Sequence, residues 1–289
     1  MSTDLSIVIP AFNEEAGLER VVRGIDASLR QTSRSFEIIV VDDGSTDDTA
    51  LVARGLGVRL LTHPVNRGYG AALKTGIRAA EGERIVICDG DGTYPAESIP
   101  LLIHTADSCD MAVAARTGPQ VAIGPFRRLA KAILRRLAVY LSESQIPDLN
   151  SGLRIFRRDA ALGYFPILPS GFSFTTTITL AMLCSGGRVA WVPINYAKRT
   201  GRSKIRPLRD TMNFLILIMR TIIYFNPLRV FLPVSLAAGL LFVASLVYDL
   251  FILRNLTEKT LIFLFGSVQL LAIGVLADLI TKRLYGGSS

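Results

Sequence analysis

Two aspartates stand one residue apart in the stretch "ERIVICDGDGTYP", residues 83–95, directly after a run of apolar β-branched residues. Asp89 and Asp91 have the charge and the spacing to hold a divalent cation, because hard ions such as Mg²⁺ prefer carboxylate oxygens as ligands. Gly90 and Gly92 would remove side chains where a ligand must approach the backbone. The alternative is a solvated turn that uses aspartate and glycine for their backbone conformations.

Two other kinds of site have similar sequences, and both fit this chain poorly. A calcium loop of the EF-hand type needs glycine at its sixth position and glutamate at its twelfth, where Tyr94 and Pro100 stand here. A dinucleotide-binding turn needs three spaced glycines in the first βα connection. In "GYGAAL" Leu73 replaces the third glycine, and the first connection, "PAFNEEAG", lacks the pattern. The remaining functional interpretation is a cation that bridges a diphosphate at the end of a strand.

Apolar runs that alternate with helical segments must position these aspartates. The pattern predicts helices that include residues 70–80 and 172–184, and strands at 5–9, 36–41, 58–61, 84–88, 111–115, 153–156 and 189–194. This alternation predicts a doubly wound, mostly parallel α/β sheet, in which ligands bind beyond the carboxyl ends of the strands. The turns "PAFNEE", "DDGSTD" and "DGDGT" each follow a strand directly. We therefore expect them to converge on one crevice, with Asn13 as the N-cap of the first helix.

The C-terminal part of the chain is much more apolar than the rest. Residues 230–253 and 260–281 are each long enough to cross the roughly 30 Å hydrocarbon layer of a bilayer. The hydrophilic "RNLTEK" between them predicts a transmembrane hairpin, and the preceding segment, 207–227, is predicted to be an interfacial helix. Two crossings return the C-terminus to the side of the N-terminal domain, and the basic residues that flank this side favour a cytosolic location for that domain.

Three acidic or apolar features of the hairpin lead to further expectations. Asp249, inside the first span, is expected to mark a helix–helix contact, because ionisable residues at such depth need a partner. Asp278 is expected to pair with Lys282, one helical turn further on. The apolar helices also allow a homo-oligomer that forms through them.

The net charge is +8, and basic residues cluster at 127–136, 154–158 and 198–209, close to the apolar part of the chain. Cationic residues beside apolar spans are typical of an anionic membrane face, although 127–136 could also be a solvated helix face. The sequence contains no aromatic–basic RNA motif and no recognition-helix pattern, so a nucleic acid partner is not expected. Three scattered cysteines indicate a reducing compartment, and the N-terminus does not have the pattern of a secretory signal.

Six motifs in a fixed order carry a resemblance to a known family. They are "LSIVIPAFNEE", "IIVVDDGSTDDT", "NRGYGAALKTGIRAAEG", "DGDGTYP", "DLNSGLRIFRR" and "KRTGRSKI". Together they resemble the family 2 glycosyltransferases of the GT-A fold, and more narrowly the polyprenyl-phosphate branch that includes dolichol-phosphate mannose synthase. The resemblance covers residues 5–206 and implies a GT-A catalytic domain at 1–206, an interfacial region at 207–227 and a membrane hairpin at 228–289.

The resemblance also implies roles for individual residues. It implies that Pro10, Phe12 and Glu14 contact the nucleoside of the donor and that Asp42 lies near the base or ribose. Asp89, Gly90 and Asp91 would contact the diphosphate, and Arg116 a donor or acceptor phosphate. Arg199 and Lys204 would belong to a loop that closes over the diphosphate. Asp89 and Asp91 would bind Mg²⁺ or Mn²⁺. Many relatives have glutamine at the position of Thr93, which leaves open whether a third side chain binds the metal. The arginine expected before "GRSK" falls on Lys198 or Arg199.

The activity that the resemblance implies is transfer of a hexose, with inversion, from GDP-mannose or a UDP-sugar to a polyprenyl phosphate such as undecaprenyl or dolichyl phosphate. Asp91, Arg116 and Asp148 are the candidate catalytic residues, although Asp148 could instead cap a turn. A phosphate acceptor is largely ionised at neutral pH and needs little help from a base, so His63 and His104 are expected to be ordinary structural residues. The alternatives are transfer to a sugar hydroxyl and a non-catalytic nucleotide-sugar-binding subunit.

Overall fold

A computed structural model describes residues 3–116, 145–171, 173–195 and 219–285, together with Val139, Ile216 and Leu217. The basic segments 127–136 and 198–209 lie outside these residues. So do two predicted site residues, Arg199 and Lys204, and most of the predicted interfacial helix.

The described residues form a seven-stranded sheet in the order β3-β2-β1-β4-β6-β5-β7. Its strands are β1 Leu5–Ala11, β2 Phe36–Asp42, β3 Arg59–Thr62, β4 Arg84–Ile87, β5 Met111–Arg116, β6 Arg154–Arg157 and β7 Val189–Ile194. Only β6 in this sheet runs antiparallel to its neighbours, β4 and β5. The other pairs are parallel, which confirms the mostly parallel α/β sheet predicted from the sequence.

Helices cover both faces of the sheet, as a doubly wound fold requires. They are α1 Glu15–Leu29, α2 Thr49–Gly55, α3 Tyr69–Ala79, α4 Ile99–Ala106, α5 Arg158–Gly163 and α6 Phe174–Cys184. One core cluster joins the sheet to α1, α2 and α4, and a second joins it to α3, α5 and α6. The strands are buried on both sides, which explains why the sequence shows continuous apolar runs instead of an alternating pattern.

The turn after β1 differs from the prediction in one detail. Asn13 has a left-handed backbone with φ of 57°, and Glu14 is the residue at the N-cap of α1. The Asn13 side-chain oxygen instead accepts a hydrogen bond from the Thr46 backbone N–H at 2.9 Å, and the Asn13 N–H donates to Ser45 Oγ at 3.0 Å. Asn13 therefore ties the turn after β1 to the turn after β2, because asparagine tolerates the left-handed region and offers a side-chain acceptor.

The C-terminal residues form two long antiparallel helices, α7 Leu228–Tyr248 and α8 Glu258–Tyr285, with a π-helical turn over Asp249–Leu253 between them. The segments Leu228–Leu253 and Glu258–Arg283 are long and apolar enough to cross a membrane, and little of either is buried within the protein. Both predicted spans lie within these two segments. They are therefore candidate membrane spans on the basis of length and composition.

Asp249 makes the helix–helix contact that was expected of it. Its Oδ2 accepts hydrogen bonds from the Thr257 N–H at 2.8 Å, the Thr257 hydroxyl at 2.7 Å and the Thr260 hydroxyl at 2.6 Å. The carboxylate at the end of one helix thus caps the start of the next, which stabilises the tight connection of the hairpin. The Asp278–Lys282 pair is also confirmed, at 2.8 Å.

The residues before α7 pack against the domain that contains the sheet. Ile222 packs against Leu180 of α6 and against Ile146. The rings of Phe225 and Tyr164 meet edge to face, with centroids 6.1 Å apart. The hairpin therefore begins at the face of the sheet that α3, α5 and α6 cover.

Candidate active site

The carboxyl ends of β1, β2 and β4 meet, as the sequence predicted. The β1 and β2 ends are paired in register, with Ala11 opposite Asp42. A Cβ added to Gly17, in α1, would lie 3.3 Å from the Gly90 carbonyl oxygen, so the start of α1 touches the turn after β4. These contacts bring the three acidic turns together at one edge of the sheet, where ligands bind in open α/β folds.

Asp89 follows β4 and accepts a hydrogen bond from a neutral side chain. The Tyr69 hydroxyl, at the start of α3, donates to Asp89 Oδ1 at 2.8 Å. Gly152 lies so close that a Cβ there would fall 2.0 Å from Asp89 Oδ2, so only glycine fits beside the carboxylate. Burial raises the pKa of Asp89 to about 6, although the Tyr69 hydrogen bond acts in the opposite direction. A carboxylate desolvated in this way gains from the arrival of a cation.

Asp91 is oriented by the residue two positions later. Its Oδ1 accepts hydrogen bonds from the Thr93 hydroxyl at 2.6 Å and from the Thr93 N–H at 3.1 Å. Because Thr93 is itself buried, these two hydrogen bonds hold the Asp91 carboxylate in one direction. The sequence had left open whether Thr93 binds a metal, and the structure shows it as a hydrogen-bond partner of Asp91.

The two glycines of "DGDG" lie close to other parts of the protein. Gly92 has φ of +71°, and a Cβ there would lie 2.3 Å from Arg20 Nη2. A Cβ on Gly90 would lie 3.3 Å from the Pro10 carbonyl oxygen of β1. The left-handed backbone favours glycine at position 92, and the close approach to β1 favours a small residue at position 90. Their contact with a diphosphate stays a prediction.

The residues predicted to contact the nucleoside lie around the ends of β1 and β2. Pro10 is in β1, and Phe12, just beyond the strand, exposes 38% of its surface although it is a large apolar residue. The Glu14 N–H donates to Thr49 Oγ1 at 2.9 Å. Asp42 is buried, and its Oδ1 accepts from the Ser45 N–H at 3.1 Å. The structure thus places all four predicted residues on neighbouring backbone segments.

Arg116 and Asp148 form a bidentate ion pair at the same edge of the sheet. Asp148 Oδ2 lies 2.6 Å from Arg116 Nε, and Asp148 Oδ1 lies 2.8 Å from Arg116 Nη2. Burial raises the pKa of Asp148, but the hydrogen bonds and charge of Arg116 outweigh this effect and hold it below the usual range. Asp148 also accepts from the Asn150 N–H at 3.1 Å, so it caps its turn. Asp148 therefore holds the Arg116 side chain in place, and its catalytic role stays a prediction.

Arg116 also belongs to the surroundings of Asp89. Burial raises the pKa of Asp89 and of Tyr94, and the positive charge of Arg116 opposes both increases. The Tyr94 hydroxyl in turn accepts a hydrogen bond from the Gly152 N–H at 2.6 Å. One guanidinium, held by Asp148, thus lies at the border of the acidic crevice.

Arg154 is a residue that the sequence analysis misplaced. It was counted in the basic cluster 154–158 near a membrane, but its side chain is fully buried in β6. The guanidinium donates to the Thr175 carbonyl and the Thr179 hydroxyl, both at 2.7 Å, and to the Ser151 carbonyl. Burial lowers the pKa of Arg154 to about 10, and its charge lowers the pKa of Asp89. A strand residue that faces the core cannot belong to a membrane surface.

His63 and Asp43 form a buried pair that the sequence analysis did not identify. His63 was expected to be an ordinary structural residue, and its Nδ1 lies 2.6 Å from Asp43 Oδ1. Asp43 follows Asp42 directly, and adjacent residues of a strand end point to opposite sides. The doubled aspartate of "DDGS" was the available signal for a second, separate role.

The oxygen ligands at the end of β4 fit a divalent cation that also binds phosphate. Mg²⁺ usually keeps one or two protein carboxylates and completes its octahedral shell with phosphate oxygens and water. Asp89 and Asp91 supply that number of carboxylates. No group of three or more His, Cys, Asp or Glu residues that could enclose a metal occurs within the described part of the chain. The arrangement therefore favours a site completed by the ligand over a closed structural site.

Solved structures define the class of fold. Glucosyl-3-phosphoglycerate synthase from Mycobacterium tuberculosis, solved with phosphoglyceric acid, aligns with a TM-score of 0.58 and 25% sequence identity. The alignment covers 76% of this chain and 80% of that one. A structure of the same synthase with Mn²⁺, uridine diphosphate and phosphoglyceric acid aligns with a TM-score of 0.59 at 24% identity and covers 76% of this chain and 78% of that one. The domain that contains the sheet has the GT-A fold of nucleotide-sugar transferases.

Family models identify the two parts of the chain. Residues 6–165 match the family described as glycosyl transferase family 2, which is more than half of the chain. Residues 226–283 match the model described as the GtrB C-terminal hairpin. The chain therefore belongs to glycosyl transferase family 2, and its C-terminal residues match the GtrB hairpin.

Curated relatives resemble this chain over most of its length. The undecaprenyl-phosphate 4-deoxy-4-formamido-L-arabinose transferase of Aeromonas hydrophila is 29% identical over 96% of this chain and 88% of its own. The dolichyl-phosphate hexose transferase of Haloferax volcanii is 31% identical over 71% of this chain and 87% of its own. Both relatives are named as transferases that act on polyprenyl phosphates.

Proposed function

We propose that this protein transfers a hexose from a nucleoside-diphosphate sugar to the phosphate of a polyprenol at a membrane surface. The observation that carries the proposal is the combination, on one chain, of an acidic GT-A crevice with a C-terminal apolar hairpin. The relative from Aeromonas hydrophila matches 96% of this chain and the one from Haloferax volcanii matches 71%. Both are named as polyprenyl-phosphate transferases, which supports the same acceptor class.

The state of the candidate bases favours a phosphate acceptor over a sugar hydroxyl. A hydroxyl acceptor needs a general base within hydrogen-bond reach. Asp148 is held in an ion pair by Arg116, and both ring nitrogens of His63 contact protein groups. A phosphate monoester has a second pKa near 6, so its oxygen is largely ionised at neutral pH and can attack without such a base.

In the proposed reaction a bond forms between an acceptor phosphate oxygen and the anomeric carbon of the sugar. The bond from that carbon to the donor diphosphate breaks, and attack from the opposite face inverts the anomeric centre. Asp89 and Asp91 would hold Mg²⁺ or Mn²⁺, which would neutralise the departing diphosphate. Phe12, Glu14 and Asp42 would contact the nucleoside, and Arg116 a phosphate. Most of the barrier reduction would come from positioning and charge neutralisation.

The hairpin would place this site close to its lipid substrate. Both helices are candidate spans, and the residues just before α7 pack on the domain that carries the crevice. We propose that the domain lies on the cytosolic side, where nucleotide sugars are made, and that both chain ends share that side. Arg199, Lys204 and the basic segment 127–136 would then receive phosphates near the bilayer.

A lipid-extraction assay tests the proposal. Detergent-solubilised protein is supplied with Mn²⁺ or Mg²⁺, with undecaprenyl or dolichyl phosphate, and with each of several radiolabelled donors (UDP-glucose, UDP-N-acetylglucosamine and GDP-mannose). We expect label in the organic phase with wild type and with the surface control Asp107→Asn, and none with Asp91→Asn. Label that enters only water-soluble saccharide would indicate a hydroxyl acceptor. Nucleotide binding without turnover on any donor would indicate a binding subunit, and either result would overturn the proposal.

A further inference from the structure

His63 is a buried imidazole that the proposed reaction does not use. It lies just after β3, and its side chain is 5% exposed, beside an Asp43 side chain that is 4% exposed. The His63 backbone N–H donates to the Asp42 carbonyl at 2.9 Å, which extends the pairing of β2 with β3 by one residue. On the far side of the ring, Nε2 lies 2.9 Å from Thr75 Oγ1 in α3. The imidazole thus bridges the end of the sheet and the middle of a helix.

Asp43 connects this imidazole to the start of α3. Its Oδ1 lies 2.6 Å from His63 Nδ1 and accepts the Arg67 N–H at 3.0 Å, while its Oδ2 accepts the Gly68 N–H at 2.8 Å. A carboxylate only accepts hydrogen bonds, so His63 Nδ1 is the donor in this pair. Three donors therefore fix one carboxylate, and this carboxylate fixes the two residues that precede α3.

The opposite side of the same turn is fixed by backbone contacts. A Cβ on Gly68 would lie 2.7 Å from the Ser170 carbonyl oxygen, and Gly68 has φ of +100°. The Ala71 N–H donates to the Ser170 carbonyl at 3.0 Å. The first turn of α3 is thus held between Asp43 and the loop at Ser170, which leaves it little freedom to move.

Tyr69 lies inside this clamp, and its hydroxyl donates to Asp89 Oδ1 at 2.8 Å. We propose that His63 and Asp43 are positioning residues that, through the backbone at Gly68 and the hydroxyl of Tyr69, set the direction of the Asp89 carboxylate for a cation and a diphosphate. Octahedral ions such as Mg²⁺ and Mn²⁺ are sensitive to ligand direction, and the groups that orient ligands affect metal affinity. The proposal rests on the donor site of the proposed function, and not on its lipid acceptor.

Calorimetric titration of UDP and of GDP, each with Mn²⁺, tests this inference without any turnover. We expect His63→Ala to weaken metal-dependent nucleotide binding by about tenfold or more, and Tyr69→Phe to do the same. His63→Asn can place an amide N–H near the position of Nδ1 and should restore binding, whereas His63→Gln reaches toward Thr75 and should not. Thr75→Val is the matched control, because it removes the Nε2 contact and leaves Asp43 bonded.

A double-mutant cycle separates positioning from general stability. If His63 acts through Tyr69, the effects of His63→Ala and Tyr69→Phe on nucleotide affinity will not add, because both remove the same orientation of Asp89. Thermal unfolding of each variant is recorded alongside. Lower melting temperature with unchanged affinity in His63→Ala, or fully additive effects, would overturn the inference. Normal nucleotide binding by the wild type with no transfer to polyprenyl phosphate would overturn the proposed function and leave this inference standing.

Discussion

Two carboxylates at the same edge of the sheet are held in opposite ways. Asp89, after β4, receives a neutral tyrosine hydroxyl, and burial raises its pKa to about 6. Asp148, before β6, receives the guanidinium of Arg116 in bidentate geometry, and its pKa is held below the usual range although burial acts against this. Among the residues that the structure describes, Asp89 therefore has no ion-pair partner, whereas Asp148 has one.

This difference assigns different roles to the two acids. A desolvated carboxylate without an ion pair is stabilised by a divalent cation, which makes Asp89 suited to metal binding. A carboxylate in a bidentate pair with arginine is a poor proton acceptor, which makes Asp148 suited to holding Arg116. The sequence indicated Asp89 as a metal ligand and Asp148 as a catalytic residue or a turn cap, and the pairing of Asp148 with Arg116 appears only in the structure. The following predictions test the contrast, from the largest expected effect to the smallest.

Asp89→Asn should cause the largest loss. The amide keeps the size of the side chain but removes the charge that a cation needs, so we expect the rate of transfer to lipid to fall by roughly 10²–10³-fold. Initial rates with radiolabelled donor at saturating Mn²⁺ measure the effect. Asp107→Asn, at an exposed ion pair with Arg34, is the control and should retain wild-type rates. Wild-type activity in Asp89→Asn would remove this residue from the metal site.

Arg154→Met should reduce stability more than it reduces activity. The change removes the buried guanidinium and leaves the carbonyl oxygens of Ser151 and Thr175 without these donors, so we expect a loss of about 3 kcal/mol in the free energy of unfolding. Denaturant titration followed by circular dichroism measures it. Arg157→Met, at an exposed position of the same strand, is the matched control. Equal stability of the two variants would show that the buried guanidinium does not support the sheet.

Asp148→Asn should have an intermediate effect on the rate. An asparagine can still accept one hydrogen bond from Arg116 but loses the charge and the bidentate geometry, so we expect a decrease in kcat of about tenfold. The decisive readout is the pH profile of kcat. A positioning role leaves the shape of the profile unchanged, whereas loss of an acidic limb in Asp148→Asn would identify Asp148 as a base.

The raised pKa of Asp89 predicts a small pH effect on stability. Between the ordinary aspartate pKa of 3.8 and about 6, the folded protein binds a proton that the unfolded chain has released. The free energy of unfolding therefore gains a contribution as the pH falls through this window, and loses it as the pH rises through about 6. Melting temperatures of metal-free wild type and Asp89→Asn, compared from pH 7 to pH 4.5, measure it. Parallel curves for the two proteins would contradict the shifted pKa.

The parallel half of the fold was predictable because its signals are local. Each of the strands β1, β2 and β4 is an apolar run that ends in a polar turn, and the right-handed crossover of βαβ units leaves few arrangements. The convergence of the three acidic turns followed from that topology alone. The direction of β6 was not predictable, since its pairing with β4 joins residues 84–87 to 154–157, far apart in the sequence.

The details of the site depend on contacts that no local pattern contains. Arg154 looks like a surface cation in "LRIFRR", and only the position of β6 between β4 and β5 makes it a core residue. Tyr69 is twenty residues from Asp89, and its hydrogen bond requires α3 to cross the sheet edge. The role of Asp249 was visible only as a polar residue in an apolar span, and its capping partners appeared with the hairpin.

Electron paramagnetic resonance of Mn²⁺ tests the central contrast most directly. Protein is mixed with Mn²⁺ and with UDP or GDP, and the loss of the free-ion signal reports the bound metal. We expect Asp148→Asn to bind Mn²⁺ as the wild type does, and Asp89→Asn to leave the ion free. Retention of bound Mn²⁺ in Asp89→Asn, with loss in Asp148→Asn, would contradict this account of the site.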